Sequence, residues 1–138
     1  MGFLIDSTLL IRAERHRHSP DQLIAEILDR WGDVQLAISV MSEGELLHGC
    51  WRADVPARRA RREEFVEALL SAVPVVAITL PIIRVFAEID AQLAAAGTRL
   101  PTSDLLIGST ALARGEDILT GNLRHFQRIP GLVVHQLA

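Results

Sequence analysis

Three carboxylates in this chain, Asp6, Glu45 and Asp104, each stand just after an apolar run or at the start of a helix-like pattern. Asp6 ends Phe3-Leu4-Ile5 and is followed at once by Ser7 and Thr8; Glu45 follows "AISVMS"; Asp104 lies at the start of "TSDLLIGSTALA". Each has a plain structural explanation. An Asp or Ser at a strand-to-helix turn caps backbone N–H groups. Ser42-Glu43-Gly44-Glu45 fits a capping box, and Asp104 complements a helix dipole. All three at one sheet edge point instead to shared chemistry. Clustered carboxylates repel one another and hold their protons more tightly. A hard cation removes that penalty, and Mg2+ favours a few carboxylates together with substrate phosphate oxygens.

The elements that must position these acids are legible as alternating periods. Short β-like runs cover Phe3–Ile5, Gln35–Val40, Val75–Ile78, Ile118–Leu119 and Leu132–His135. Between them, "PDQLIAEILDRW", "SEGELLHGCWRA" and "RRARREEFVEALL" repeat apolar residues at helical spacing. "PIIRVFAEIDAQLAAAG" and "TSDLLIGSTALARG" are helices closed by Gly97 and Gly115. Such alternation predicts an α/β fold with a central parallel sheet and helices on both faces. The chain of 138 residues has the length of one domain, residues 1–138. Open sheets of this kind bind ligands at the carboxyl ends of their strands.

Composition excludes several chemistries. All fourteen basic residues are arginine and none is lysine. A phosphorylatable receiver domain and a haloacid-type phosphatase share the acidic strand end but require a lysine, so both are excluded. The single cysteine, Cys50, precludes an intramolecular disulfide. The stretch "LLSAVPVVAITLPIIRVF" is broken by Pro74, Pro81 and Arg84 below the roughly 20 residues a spanning helix needs. With no signal-peptide pattern at the start, the expectation is a cytoplasmic protein with no membrane partner.

Four segments in order, "FLIDST", "ISVMSEGELLHG", "LPTSDLLIGSTALARG" and "ILTGNLRHFQRIPGLVV", make the chain resemble PIN-domain proteins of the VapC toxin type over nearly its whole length. The resemblance implies a three-layer α/β/α sandwich and a metal-dependent endoribonuclease using Mg2+ or Mn2+. It also implies a homodimer, neutralised by an antitoxin whose tail enters the acidic groove. Asp6, Glu45 and Asp104 would be the metal-binding, catalytic acids. Ser7, Thr120 and Asn122 would support them, Asn122 matching the family's T-x-N-x-x-[DE]-F segment. The fourth family acid falls at His125, so this chain offers an imidazole there. On a short helix beginning near Asn122, His125 would face the acidic cleft; otherwise it caps or packs beside Phe126. The alternative to the enzyme is a catalytically weakened PIN-like domain acting as a binding or scaffold protein.

Two further readings concern surfaces. Glu45, His48 and Arg52 share a helical stripe that would lead away from the acids along a phosphate backbone. Arg58, Arg61 and Arg62 share another, either as an RNA-binding rim or as part of a solvated face with pairs such as Arg59 and Glu63. Leu47, Trp51, Ile82 and Phe86 are apolar beyond what one thin core needs, and suit a dimer contact. Trp51 alone offers base stacking, with a core or interface role as the alternative.

Overall fold

The computed structural model describes residues 1–137. The first apolar run forms β1 (Gly2–Ile5) and passes through Asp6 directly into α1 (Ser7–Arg15). Then follow α2 (Pro20–Trp31), β2 (Gln35–Ser39), α3 (Val40–Trp51), α4 (Pro56–Ala72) and the two-residue β3 (Val75–Val76). The chain continues through α5 (Leu80–Ala95), α6 (Thr102–Arg114), β4 (Asp117–Thr120), a 3-10 turn (Phe126–Arg128) and β5 (Val134–Gln136). The strands lie in the order β3-β2-β1-β4-β5 and every pairing is parallel.

Alternation along β1 divides the interior in two. Phe3, Ile5, Ile38 and Leu119 face a core built with α1, α2, α3 and α4. Leu4, Ala37 and Ile118 face a second core against α5, α6 and the 3-10 turn. The register matches this division, since Leu4 lies opposite both Ala37 and Ile118, and Ile5 opposite Leu119. A strand apolar on both faces must be covered on both. The result is the expected three-layer α/β/α sandwich. Among the described residues, no helix is long and apolar enough to cross a membrane.

Several local expectations are corrected. Val40 begins α3 rather than ending β2, because Ser39 supplies the cap: its Oγ accepts the Met41 N–H at 3.1 Å. The capping box at Ser42–Glu45 therefore does not form; Ser42 lies inside the helix, fully buried. No helix starts at Asn122. The chain there is held by Thr120 and Asn122 hydrogen bonds, and the 3-10 turn begins only at Phe126. Ile82 is buried and Phe86 packs partly against the second core, so neither is surplus apolar surface. Leu47 is 40% exposed and Trp51 71%, which also removes the core role for Trp51.

Candidate functional site

The site arises from topology. The chain leaves central β1 toward β2 and β3 on one side, then crosses to β4 and β5 on the other. The strand order reverses between β1 and β4, and a crevice opens at their carboxyl ends. Asp6 stands there. Its N–H donates to the Leu119 carbonyl at 2.9 Å, extending the β1–β4 ladder by one residue. That bond fixes the backbone at the strand end, where the residue is fully buried.

Asp6 occupies the capping position of α1, yet its carboxylate makes no capping hydrogen bond. Hydroxyl groups hold it instead. Oδ2 accepts from Thr8 at 2.5 Å and from Thr120 at 2.9 Å, and Oδ1 accepts from Ser7 at 3.4 Å. Ser7 Oγ also lies 3.2 Å from Glu45 Oε1, so one hydroxyl stands between two carboxylates. Glu45 reaches this point from the second turn of α3 and is half-buried. Asp104 comes from the first turn of α6, and its Oδ2 lies 2.5 Å from His125 Nδ1.

The electrostatics follow from this crowding. Burial raises the pKa of Asp6 above its ordinary value of 3.8, and the negative charge of Asp104 raises it further. The Thr8 and Thr120 hydroxyls oppose the rise, with the Thr8 amide close enough to help without closing a cap. Glu45 is likewise raised, first by burial and then by the charges of Asp6 and Asp104, against the Ser7 hydrogen bond. The charge of Asp104 thus reaches both Asp6 and Glu45, although 39 and 59 positions separate the three along the chain. Among the described residues, no three side chains of Asp, Glu, His or Cys stand close enough together to hold a metal ion between them. The donor set is nevertheless oxygen-rich and anionic, and it fits a hard cation that retains several waters better than a fully caged one.

Thr120 and Asn122 have distinct places. Thr120 is buried and binds Asp6 directly, while its Oγ accepts the Asn122 N–H at 3.0 Å. Asn122 is exposed, and its Oδ1 accepts the Arg124 N–H at 3.1 Å, which shapes the turn leading to His125. Gly108 of α6 makes that turn's position possible: a Cβ there would lie 2.3 Å from Ile129 Cδ1. Thr8, the closest hydroxyl to Asp6, was not among the supporting residues read from sequence. Its spacing of two from Asp6 was the available signal.

A groove of about 490 Å3 runs from Glu45 between α1, α3 and α4. His48, Arg52, Arg58 and Arg62 line it, over an apolar floor that includes Ile11 and Phe65. Arg58 pairs with Asp54 at 2.6 Å, and Arg62 donates to the Gly49 carbonyl at 2.6 Å. Arg61 lines the adjoining pocket rather than this groove. Arg59 pairs with Glu63 at 2.7 Å and lies 4.2 Å over the Trp51 ring, covering one of its two faces.

The chain is similar to several known proteins. The tRNA(fMet)-specific endonuclease VapC of Salmonella typhimurium is 32% identical over 98 residues, 71% of this chain and 72% of that protein. Ribonuclease VapC1 of Rickettsia felis is 29% identical over 134 residues, 97% of this chain and 95% of that protein. The crystal structure of DNA-bound VapBC from Salmonella typhimurium matches with a TM-score of 0.84 at 26% identity, covering 99% of this chain and 98% of that one. The family model for the PIN domain matches residues 3–132. With that match spanning β1 to the approach of β5, the chain belongs to the PIN domain family.

Proposed function

We propose that this protein is an endoribonuclease, the toxin of a VapBC-type toxin–antitoxin pair, cutting RNA phosphodiester bonds with Mg2+ or Mn2+. The observation that carries the reading is the Ser7 hydroxyl set between the carboxylates of Asp6 and Glu45 at the β1–β4 switch point, with the charge of Asp104 acting on both. The names of the relatives support the ribonuclease activity, and the VapBC complex supports an antitoxin partner.

Asp6, Glu45 and Asp104 would hold the cation. When bound, it lowers the pKa of water and neutralises charge growing on the phosphoryl oxygens. The protein's own part is orientation. Thr8 and Thr120 fix Asp6 Oδ2, leaving Oδ1 with only the weaker Ser7 contact. Ser7 keeps Glu45 beside Asp6, and His125 keeps Asp104 turned toward the β4 loop. Arg52, Arg58 and Arg62 along the groove, with Arg61 beyond it, would position RNA phosphates as guanidinium forks do. The same groove, with its apolar floor, would receive the antitoxin tail. Leu47 and Trp51 stay exposed on α3 and would contribute to a homodimer in the cytoplasm.

The test is cleavage of total cellular RNA by the parent and by Asp104→Asn, with and without EDTA. The parent should cut in Mn2+ or Mg2+ and stop on chelation, and the near-isosteric variant should fold but not cut. RNA cleavage that survives both treatments would remove the acids from the chemistry. A protein that binds RNA yet never turns it over would be the scaffold.

A further inference from the structure

Five of the fourteen arginines meet where the end of α1 approaches the first turns of α4. Arg15 and Arg17 come from one side and Arg58, Arg61 and Arg62 from the other, around a pocket of about 330 Å3. Glu14 is the one acid in its lining, and no apolar side chain takes part. Arg58 is engaged by Asp54 and Arg62 by the Gly49 carbonyl. Arg15, Arg17 and Arg61 make no ion pair among the described residues. Like charges gathered this way repel unless an anion joins them.

The backbone supplies a second, independent observation. Three helices close with the same pair of hydrogen bonds. At the end of α5, Gly97 N–H donates to Ala94 and Thr98 N–H to Leu93. At the end of α6, Gly115 donates to Leu112 and Glu116 to Ala111; at the end of α1, Arg17 donates to Glu14 and His18 to Ala13. The turn needs a left-handed residue, and Gly97 (φ +72) and Gly115 (φ +67) provide it as glycine does without penalty. Arg17 adopts φ +58 in the third, the single non-glycine residue with positive φ among the described residues. The molecule thus keeps an arginine, with its conformational cost, where its own two parallel cases use glycine. Strain of this sort collects at binding sites.

We propose that this pocket binds phosphates of an RNA strand outside the acid site, with Arg17 held in the left-handed conformation for the sake of its guanidinium. The inference rests on the ribonuclease reading and adds Arg15 and Arg17 to it. Arg58 and Arg62 line both this pocket and the groove that reaches Glu45, so one strand can run from the acids into the arginines. RNA is favoured over an acidic protein segment because the lining offers a peptide no apolar contact, whereas the groove does.

The test measures anisotropy of a short fluorescent single-stranded RNA of mixed sequence, titrated at several salt concentrations in the full chain carrying Asp104→Asn. Arg17→Gly should leave the thermal midpoint equal or higher, yet weaken binding and flatten the salt dependence by about 0.7 in log–log slope. Adding Arg15→Gln and Arg61→Gln should flatten it by about 2 in total. An unchanged slope, or weakening that follows a fall in thermal midpoint, overturns the proposal. So does a polyglutamate peptide that loses affinity across these variants while RNA does not. Cleavage by the parent separates the two levels. A parent that neither cuts nor binds RNA fails as a ribonuclease, whereas a cutting parent with unaffected arginine variants fails this pocket alone.

Discussion

His125 Nδ1 and Asp104 Oδ2 lie 2.5 Å apart, joining the loop after β4 to the first turn of α6 across the acid crevice. By the resemblance of its segment the imidazole would take the place of a fourth acid, and it contributes no negative charge when neutral. Imidazole suits transition metals better than Mg2+. Mn2+ should therefore support cleavage at lower concentration than Mg2+. His125→Asp should narrow that difference by improving the response to Mg2+. Metal titrations of both proteins check it, and an identical preference in the two would make His125 a bystander in metal choice.

Asp6 and Glu45 predict how stability depends on pH without metal. Both are raised above their ordinary values of 3.8 and 4.5, so the folded chain holds these protons more tightly than the unfolded one. Their contribution to stability is then greatest below the ordinary carboxylate range and is lost as pH rises through the raised values. In EDTA, Asp6→Asn should melt at higher temperature than the parent at neutral pH and show a flatter profile. Mn2+ should raise the parent's midpoint and leave the variant's nearly unchanged. Calorimetry across pH would expose a parent indifferent to both.

Thr120→Val preserves shape and removes the hydroxyl that donates to Asp6 Oδ2 at 2.9 Å and accepts the Asn122 N–H at 3.0 Å. Losing a buried hydrogen bond to a charged group costs about 1.5–3 kcal/mol. Groups that orient a metal-binding acid typically carry roughly 10- to 100-fold in activity or metal affinity. Urea denaturation and cleavage rates should both register the change. Loss of stability alone would make Thr120 a purely structural partner.

Gly108→Ala would set a methyl group 2.3 Å from Ile129 Cδ1, inside the second core. Ile129 is 3% exposed and has little room to move, so a destabilisation of about 1–3 kcal/mol is expected. The 3-10 turn should shift with it and loosen the His125–Asp104 contact. An NMR shift of His125 that stays fixed in the variant would show that the turn absorbs the methyl locally.

The layers of the fold were readable because β1, β2 and β4 are short, apolar on both faces and separated by helices with clear stops such as Gly97 and Gly115. The acids stand out in the sequence because each lies just after a β-like run or at a helix start. What escaped was decided by neighbours distant in the chain. Nothing local shows that Ser39 rather than Ser42 caps α3, since both are serines near a strand end. Packing of α5 on the second core, not the pattern of α5 itself, decides that Phe86 is partly covered. Arg17 was invisible for a related reason: a helix ending without glycine gives no signal of a left-handed turn.

The bond from Thr120 to Asp6 spans 114 positions of the chain, and β1 completes its parallel pairing only when β4 is available. During synthesis at roughly 5–20 residues per second, the first strand leaves the ribosome long before its central partner. Pairings this distant in sequence form late, after the loop-closure entropy has been overcome. A nascent or truncated chain lacking β4 therefore has Asp6 without Thr120 to orient it, and lacks the His125 loop. An unfinished copy, including one still attached to the ribosome that is making it, therefore lacks the completed surroundings of Asp6.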